Sequence, residues 1–191
     1  FFHLLRRQAL LLESDPLPLI VMTPKSLLRH AQVARSLHDL ATGRWQPVID
    51  DRRAQKTPDD IKRLFLCSGK VFVDLTTSDY RDEHGEVAIV RLEQLYPFPE
   101  QDLVSVLEGY PNAEEIVWVQ EEPSNMGAWL FIYPRLNRIS EGRWRLRYVG
   151  RASSSSPAEG SSAWHAENQT RLVKQAFDPG PDPIDDDFVI S

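Results

Sequence analysis

The chain has 191 residues, 41% of them apolar, and a formal net charge of −6 at neutral pH. That length suits one good core with extensions, and the acidic balance speaks against nucleic-acid binding, which needs a basic face. No apolar run approaches membrane-spanning length, and the single cysteine, Cys67, cannot close an internal disulfide, so nothing calls for an oxidising compartment. The opening Phe1-Phe2-His3-Leu4-Leu5-Arg6-Arg7-Gln8 places two arginines inside an apolar stretch, the wrong order for a signal peptide. It reads as an amphipathic helix already under way, as in a chain cut from a longer polypeptide, although a processed or cloned terminus would look the same. Pro16-Leu17-Pro18 ends that helix, and Leu17 to Thr23, apolar without alternation, predicts a buried strand.

Thr23-Pro24-Lys25-Ser26 turns into a short helix around Leu27 to His30. Val33 to Leu40 repeats apolar residues at helical spacing, with Gly43 as a stop. Asp50 to Asp60 is charged and rich in turn formers, hence a surface loop. Arg63 to Cys67 predicts a second buried strand. Ser68-Gly69 turns the chain, and Lys70 to Thr77 reads as a helix against the strand propensity of Val71, Phe72 and Val73. Asp79 to Glu86 is a polar loop, Val87 to Leu92 a third strand, Pro99 to Gly109 a helix with Pro in its first turn, and Glu115 to Gln120 a fourth strand. Trp144 to Val149 alternates large apolar residues with Arg and predicts a half-exposed fifth strand. Ala163 to Phe177 closes as a helix, and the Asp- and Pro-rich composition of residues 178–191 predicts an acidic, disordered tail. Strand and helix alternating through the middle imply parallel strands joined by crossovers.

The chemical candidates are few. Ser68-Gly69-Lys70 lacks the spacing of a phosphate-binding loop and reads as a tight turn, with weak anion binding as the functional alternative. His3, His30, His38, His84 and His165 show no metal-ligand spacing. Cys67, at the end of a buried strand, reads as inert core filling. Glu121 and Glu122 stand at the carboxyl end of a strand, the edge where α/β sheets carry function. They either cap the following helix near Ser124 or Asn125 or serve a site or interface.

Two segments carry a family resemblance: Val87-Ala88-Ile89-Val90-Arg91-Leu92-Glu93-Gln94-Leu95-Tyr96-Pro97-Phe98-Pro99 and Trp118-Val119-Gln120-Glu121-Glu122-Pro123-Ser124-Asn125-Met126-Gly127-Ala128-Trp129. Leu19 to His30, Cys67 to Val71, Leu146 to Arg151 and Ser154 to Ala158 follow in family order, and together they cover nearly the whole chain. The chain resembles the carboxy-terminal domain of the thiamine-diphosphate-dependent decarboxylase subunit of the 2-oxoglutarate dehydrogenase complex. The resemblance implies an α/β, transketolase carboxy-terminal-domain-like three-layer fold with a mostly parallel sheet of about five strands. Residues 1–15 would then be the end of the preceding domain and its linker helix, 16–177 the α/β domain and 178–191 the tail.

The family's full subunit binds thiamine diphosphate and magnesium, forms a homodimer, decarboxylates 2-oxoglutarate and succinylates the lipoyl arm of a succinyltransferase. It works in the bacterial cytoplasm or the mitochondrial matrix. Its cofactor and catalytic motifs lie in upstream domains, so no catalytic, cofactor or metal residue is carried over and the chain alone is expected to be inactive. Some members bind an acyl-CoA effector. At the matching positions Arg7, Arg44 and Gln94 keep residue type or charge, whereas two basic positions of responsive members are Gln101 and Asp102 here. From a different functional class comes a stand-alone, non-catalytic binding module for an acyl-CoA or nucleotide effector.

Overall fold

The computed structural model describes residues 1–178, so the tail from residue 179 lies outside the described residues. Contacts divide the chain into two compact units, Phe1–Gln46 and the stretch from Pro47 onward.

The first unit holds helix α1 (Phe2–Leu11), 3-10 turns at Lys25–Arg29 and Ala31–Val33, and helix α2 (Leu37–Thr42). The helix expected from Val33 begins late because Ser36 is extended and its hydroxyl accepts the Asp39 N–H at 3.0 Å, a side-chain cap that fixes the start. Gly43 ends α2 as expected. No residue of this unit is buried. The strand expected at Leu17 to Thr23 is absent: the segment is irregular, with Ile20 81% and Met22 90% exposed. A strand persists only where a neighbour takes up its N–H and C=O groups. This unit contains no strand to do so, and Pro18 removes a donor.

The second unit is a five-stranded sheet in the order β1-β3-β2-β4-β5: β1 (Val48–Ile49), β2 (Arg63–Cys67), β3 (Val87–Leu92), β4 (Glu115–Pro123) and β5 (Arg145–Arg151). The count matches expectation, but the membership does not. Val48–Ile49 enters as a short antiparallel edge on β3, a pair too brief to leave a sequence signal, while the other neighbours pair in parallel. Helices α3 (Val71–Thr76), α4 (Tyr80–Glu83), α5 (Glu100–Glu108), α6 (Trp129–Ser140) and α7 (Ser162–Phe177) complete it. The polar loop expected at Asp79 to Glu86 thus contains the four-residue α4. Helix α6 was not expected at all, because Pro134 interrupts its pattern. Pro134 and Leu130, whose carbonyl it leaves without an intrahelical donor, are both exposed.

Each central strand is apolar on both faces, as parallel strands covered on both sides must be. On one face Leu64, Leu66, Val90, Ile116 and Trp118 pack with Leu103 and Leu107 of α5 and Trp129, Ile132 and Leu136 of α6. On the other, Phe65, Cys67, Ile89, Val117 and Val149 pack with Val71 and Leu75 of α3 and Leu172, Val173, Ala176 and Phe177 of α7. This is the three-layer α/β arrangement.

Candidate functional site

From β2 the chain moves to β3 on one side and then crosses to β4 on the other, so the carboxyl ends of β2 and β4 face a topological switch point. Gly69, with φ of +75°, makes the turn after β2 in the left-handed region open to glycine and delivers Lys70 to this point. Lys70 Nζ bonds Asp74 Oδ2 on α3 and lies 3.5 Å from Glu121 Oε1 at the end of β4. Gln169 of α7 donates to both carboxylates, at 2.8 Å to Asp74 and 3.0 Å to Glu121. Burial pulls the Lys70 pKa down, but the bond to Asp74 and the charges of Glu121 and Asp74 outweigh it, and the pKa rises above its ordinary value. The crevice is therefore filled from within by a charged lysine held on its own carboxylates. The anion-binding alternative for Ser68-Gly69-Lys70 loses its cation to this arrangement.

Gln169 Oε1 also accepts from Arg151 Nη2 at 3.3 Å, and the same nitrogen is 3.1 Å from His165 Nδ1. Glu159 lies 3.5 Å from Arg151 Nη1 and 3.4 Å from His165 Nδ1. One polar chain thus runs from β2 through β4 and α7 to the loop after β5. Its members pair with one another, so it can fasten α7 across the sheet edge. Glu121 accordingly does not cap a helix, and α6, with Ala128 as its N-cap residue, starts without a side-chain cap.

Beside it stands a residue that motif reading passed over. Gln120 is buried at the end of an apolar strand. Its Oε1 accepts from Trp118 Nε1 at 2.9 Å and the Trp129 N–H at 3.0 Å, while Nε2 donates to the carbonyls of Met126 at 2.8 Å and Pro123 at 3.1 Å. One carboxamide thereby satisfies itself and shapes the whole turn from Pro123 to Ala128. Gly127 has φ of +66°, and an added Cβ would stand 2.9 Å from Gln120 Nε2. A lone Gln closing an apolar run seven residues before a Gly was the available signal. Asn125 then exchanges two hydrogen bonds with the backbone of Ser154, at 2.9 and 3.1 Å, which ties the turn to the serine loop. A shallow open groove of about 540 Å³ lies alongside, lined by Ser124, Tyr148, Gly150, Arg151, Arg171 and Gln175 among others. The Tyr96-Pro97-Phe98-Pro99 corner contains a cis Tyr96–Pro97 bond. Phe98 packs edge-on to Phe131, the Arg135 guanidinium lies 3.5 Å from the Phe131 ring centre, and Tyr96 is 82% exposed.

The amino edge of the sheet is structural. Arg147 donates to the carbonyls of Gln175 at 3.1 Å and Ala176 at 2.9 Å, and Arg63 to that of Phe177 at 2.8 Å. These are last-turn carbonyls of α7 that lack intrahelical partners. His84 stacks on Phe177 and bonds Glu86 at 2.9 Å, a packing role. Burial would raise the Glu86 carboxyl, but hydrogen bonds from Arg63 and His84 bring it down to about 2. Burial pushes the Cys67 thiol up to about 12, consistent with inert core filling. Among the described residues no group of three His, Cys, Asp or Glu could hold a metal ion, and no helix is long and apolar enough to cross a membrane. Arg7 and Arg44 are exposed in the first unit, and Gln94, in the second, donates to the Pro97 carbonyl at 2.8 Å.

The sequence profile described as 2-oxoglutarate dehydrogenase C-terminal matches residues 34–177. The chain is 41% identical over 180 residues to a 2-oxoglutarate dehydrogenase E1 component of an Exiguobacterium species, covering 93% of this chain and 19% of that protein. It is 45% identical over 177 residues to the E1 component of Cupriavidus necator, covering 92% and 18%. Among solved structures it resembles a split-gene transketolase, an inactive β4 tetramer, with a TM-score of 0.46 and 12% identity over 70% of this chain and 44% of that one. The chain thus spans about a fifth of the length of the curated relatives it matches.

Proposed function

The chain belongs to the 2-oxoglutarate dehydrogenase C-terminal family, and from that membership we propose that it is the carboxy-terminal structural and regulatory domain of an E1 component. The full subunit decarboxylates 2-oxoglutarate on thiamine diphosphate with magnesium, as a homodimer, and passes the succinyl group to the lipoyl arm of a succinyltransferase. It does so in the bacterial cytoplasm or mitochondrial matrix. The cofactor acts as the electron sink, and these 191 residues contribute fold, contacts and docking without catalysing a step alone. The match of residues 34–177 to a family defined by the end of that enzyme carries the reading. The exposed apolar side chains of the first unit support it, since soluble proteins rarely leave so many together uncovered.

The same reading includes an acyl-CoA effector bound through Arg7, Arg44 and Gln94. Its support is residue type, and Gln101 and Asp102 count against it because they bring no cation to a phosphate. The test is intact mass of the native polypeptide, followed by 2-oxoglutarate turnover with thiamine diphosphate and magnesium. Activity in a polypeptide about five times longer, and none in these 191 residues, is the expected result. A native polypeptide of 191 residues would overturn it.

A further inference from the structure

The groove beside the Pro123–Ala128 turn differs in kind from the crevice it adjoins. In the crevice each charged side chain is paired on this chain, and Arg151, which also lines the groove, spends its fork on Gln169, Glu159 and His165. On the rest of the groove wall, four polar side chains have no partner among the described residues: the Arg171 guanidinium, the Ser124 and Ser153 hydroxyls and the Gln175 carboxamide. Ser124 is the informative one. It is 5% exposed, yet its hydroxyl makes no hydrogen bond among the described residues. Buried hydroxyls are nearly always satisfied, so a free one on the wall of an open groove points to a ligand. The groove is also kept clear. An added Cβ at Gly150 would overlap the Tyr148 phenol, so only glycine lets that ring lie across the strand. Burial raises the Tyr148 pKa, and the phenol stays neutral. No carboxylate is among the described lining residues.

We propose that this groove binds a small organic phosphate monoester, with the phosphate on Arg171, Ser124, Ser153 and Gln175 and the organic part against Tyr148 and Ala152. Arg171 offers a planar fork, each serine a hydroxyl and Gln175 an amide NH2. These donors outnumber what the two oxygens of a carboxylate need and suit the three terminal oxygens of a phosphate, for which a guanidinium fork is well shaped. The volume of about 540 Å³ falls within the ~300–1,000 Å³ of small-ligand sites. The site lies wholly within the sheet unit and shares no residue with Arg7, Arg44 and Gln94.

The test is calorimetric titration of the native polypeptide with phenyl phosphate, inorganic phosphate and benzoate. Thiamine diphosphate and magnesium are kept saturating, so that the cofactor site of the proposed full subunit is already filled. One phenyl phosphate per chain is expected, bound several-fold more tightly (~5-fold) than either other probe. Arg171→Ala should weaken it about 10-fold or more, the loss expected for a charge-assisted hydrogen bond. Ser124→Ala, which breaks no hydrogen bond on this chain, should weaken it less. Lys174→Ala is the control, since Lys174 is an exposed cation on the same helix that does not line the groove. It should change nothing, and a loss equal to that of Arg171→Ala would reduce the effect to diffuse surface charge and overturn the proposal. Absence of saturable phenyl phosphate binding, or binding that Arg171→Ala leaves intact, would overturn it too. Equal affinity for benzoate would refute the phosphate, and equal affinity for inorganic phosphate would refute the organic ligand.

Discussion

Residues 1–46 and the sheet unit both contain dense apolar runs, yet only the second buries them. Leu64-Phe65-Leu66-Cys67 and Leu19-Ile20-Val21-Met22 are similar words. The first lies between two parallel partners with helices on both faces and is fully buried, while the second pairs with no strand and leaves Leu19, Ile20 and Met22 exposed. An apolar run specifies that cover is needed and leaves open where the cover comes from. The sheet unit has it on the same chain, though much of it comes from far along the sequence, as with Phe177 on Phe65. The first unit retains helices, whose hydrogen bonds are internal, and loses its strand, whose bonds are not.

The contrast is sharpest for core truncation. Trp118→Ala is expected to cost about 3–5 kcal/mol, since the indole fills one core face and its N–H binds Gln120. Ile20→Ala in the same chain should stay within about 0.5 kcal/mol, as exposed sites do. Chemical denaturation of both variants measures the difference, and equal losses would erase the distinction between the units.

Next comes Arg81→Ala. Arg81 is 5% exposed and holds Asp51 and the Val87 carbonyl, and Asp51 also accepts the Ile89 N–H at 2.9 Å. Removing one member of a buried pair strands the other, at roughly 3–5 kcal/mol before relaxation. Exposed Arg7 offers the control, with an alanine change expected to leave the denaturation midpoint unmoved.

Gly127→Ala places a Cβ in a left-handed position beside Gln120, and a loss of about 1–2 kcal/mol is expected from backbone conformation alone. Gly43 in the first unit has φ of −72° and pays no left-handed penalty, but an added Cβ there would collide with the Asp39 carbonyl oxygen. The smallest effect is electrostatic. With its folded pKa lowered to about 2 from 4.5, Glu86 contributes stability above pH 4.5 that fades as pH falls toward 2. Its side chain is 37% exposed, so screening keeps this contribution small. Glu86→Gln should flatten that part of the acid-denaturation profile, and a profile parallel to the wild type would refute the assignment.

The site was less legible than the fold. Glu121 stood out as one of a pair, but its partners Lys70 and Gln169 come from other elements, 51 and 48 residues away. Gln120 was hidden between an apolar strand and the glutamates, and only the convergence of Trp118, Trp129 and the turn carbonyls gives it a role. Helix α6 was obscured by Pro134, whose usual cost falls where both it and Leu130 face solvent.

The sequence by itself determined β2, β3, β4, β5 and α7, because their apolar periods, bounded by Pro, Gly and Ser, leave few other ways to bury them. It determined the family as well, through motifs set in a fixed order. Only the tertiary structure decided that Val48–Ile49 is a strand and that Leu17–Thr23 is not. It alone decided that Lys70 serves its own carboxylates and that a single Gln shapes the Pro123–Ala128 turn. Strand pairing and ion pairing are satisfied by partners remote in sequence, and a local pattern carries no record of which partner is present.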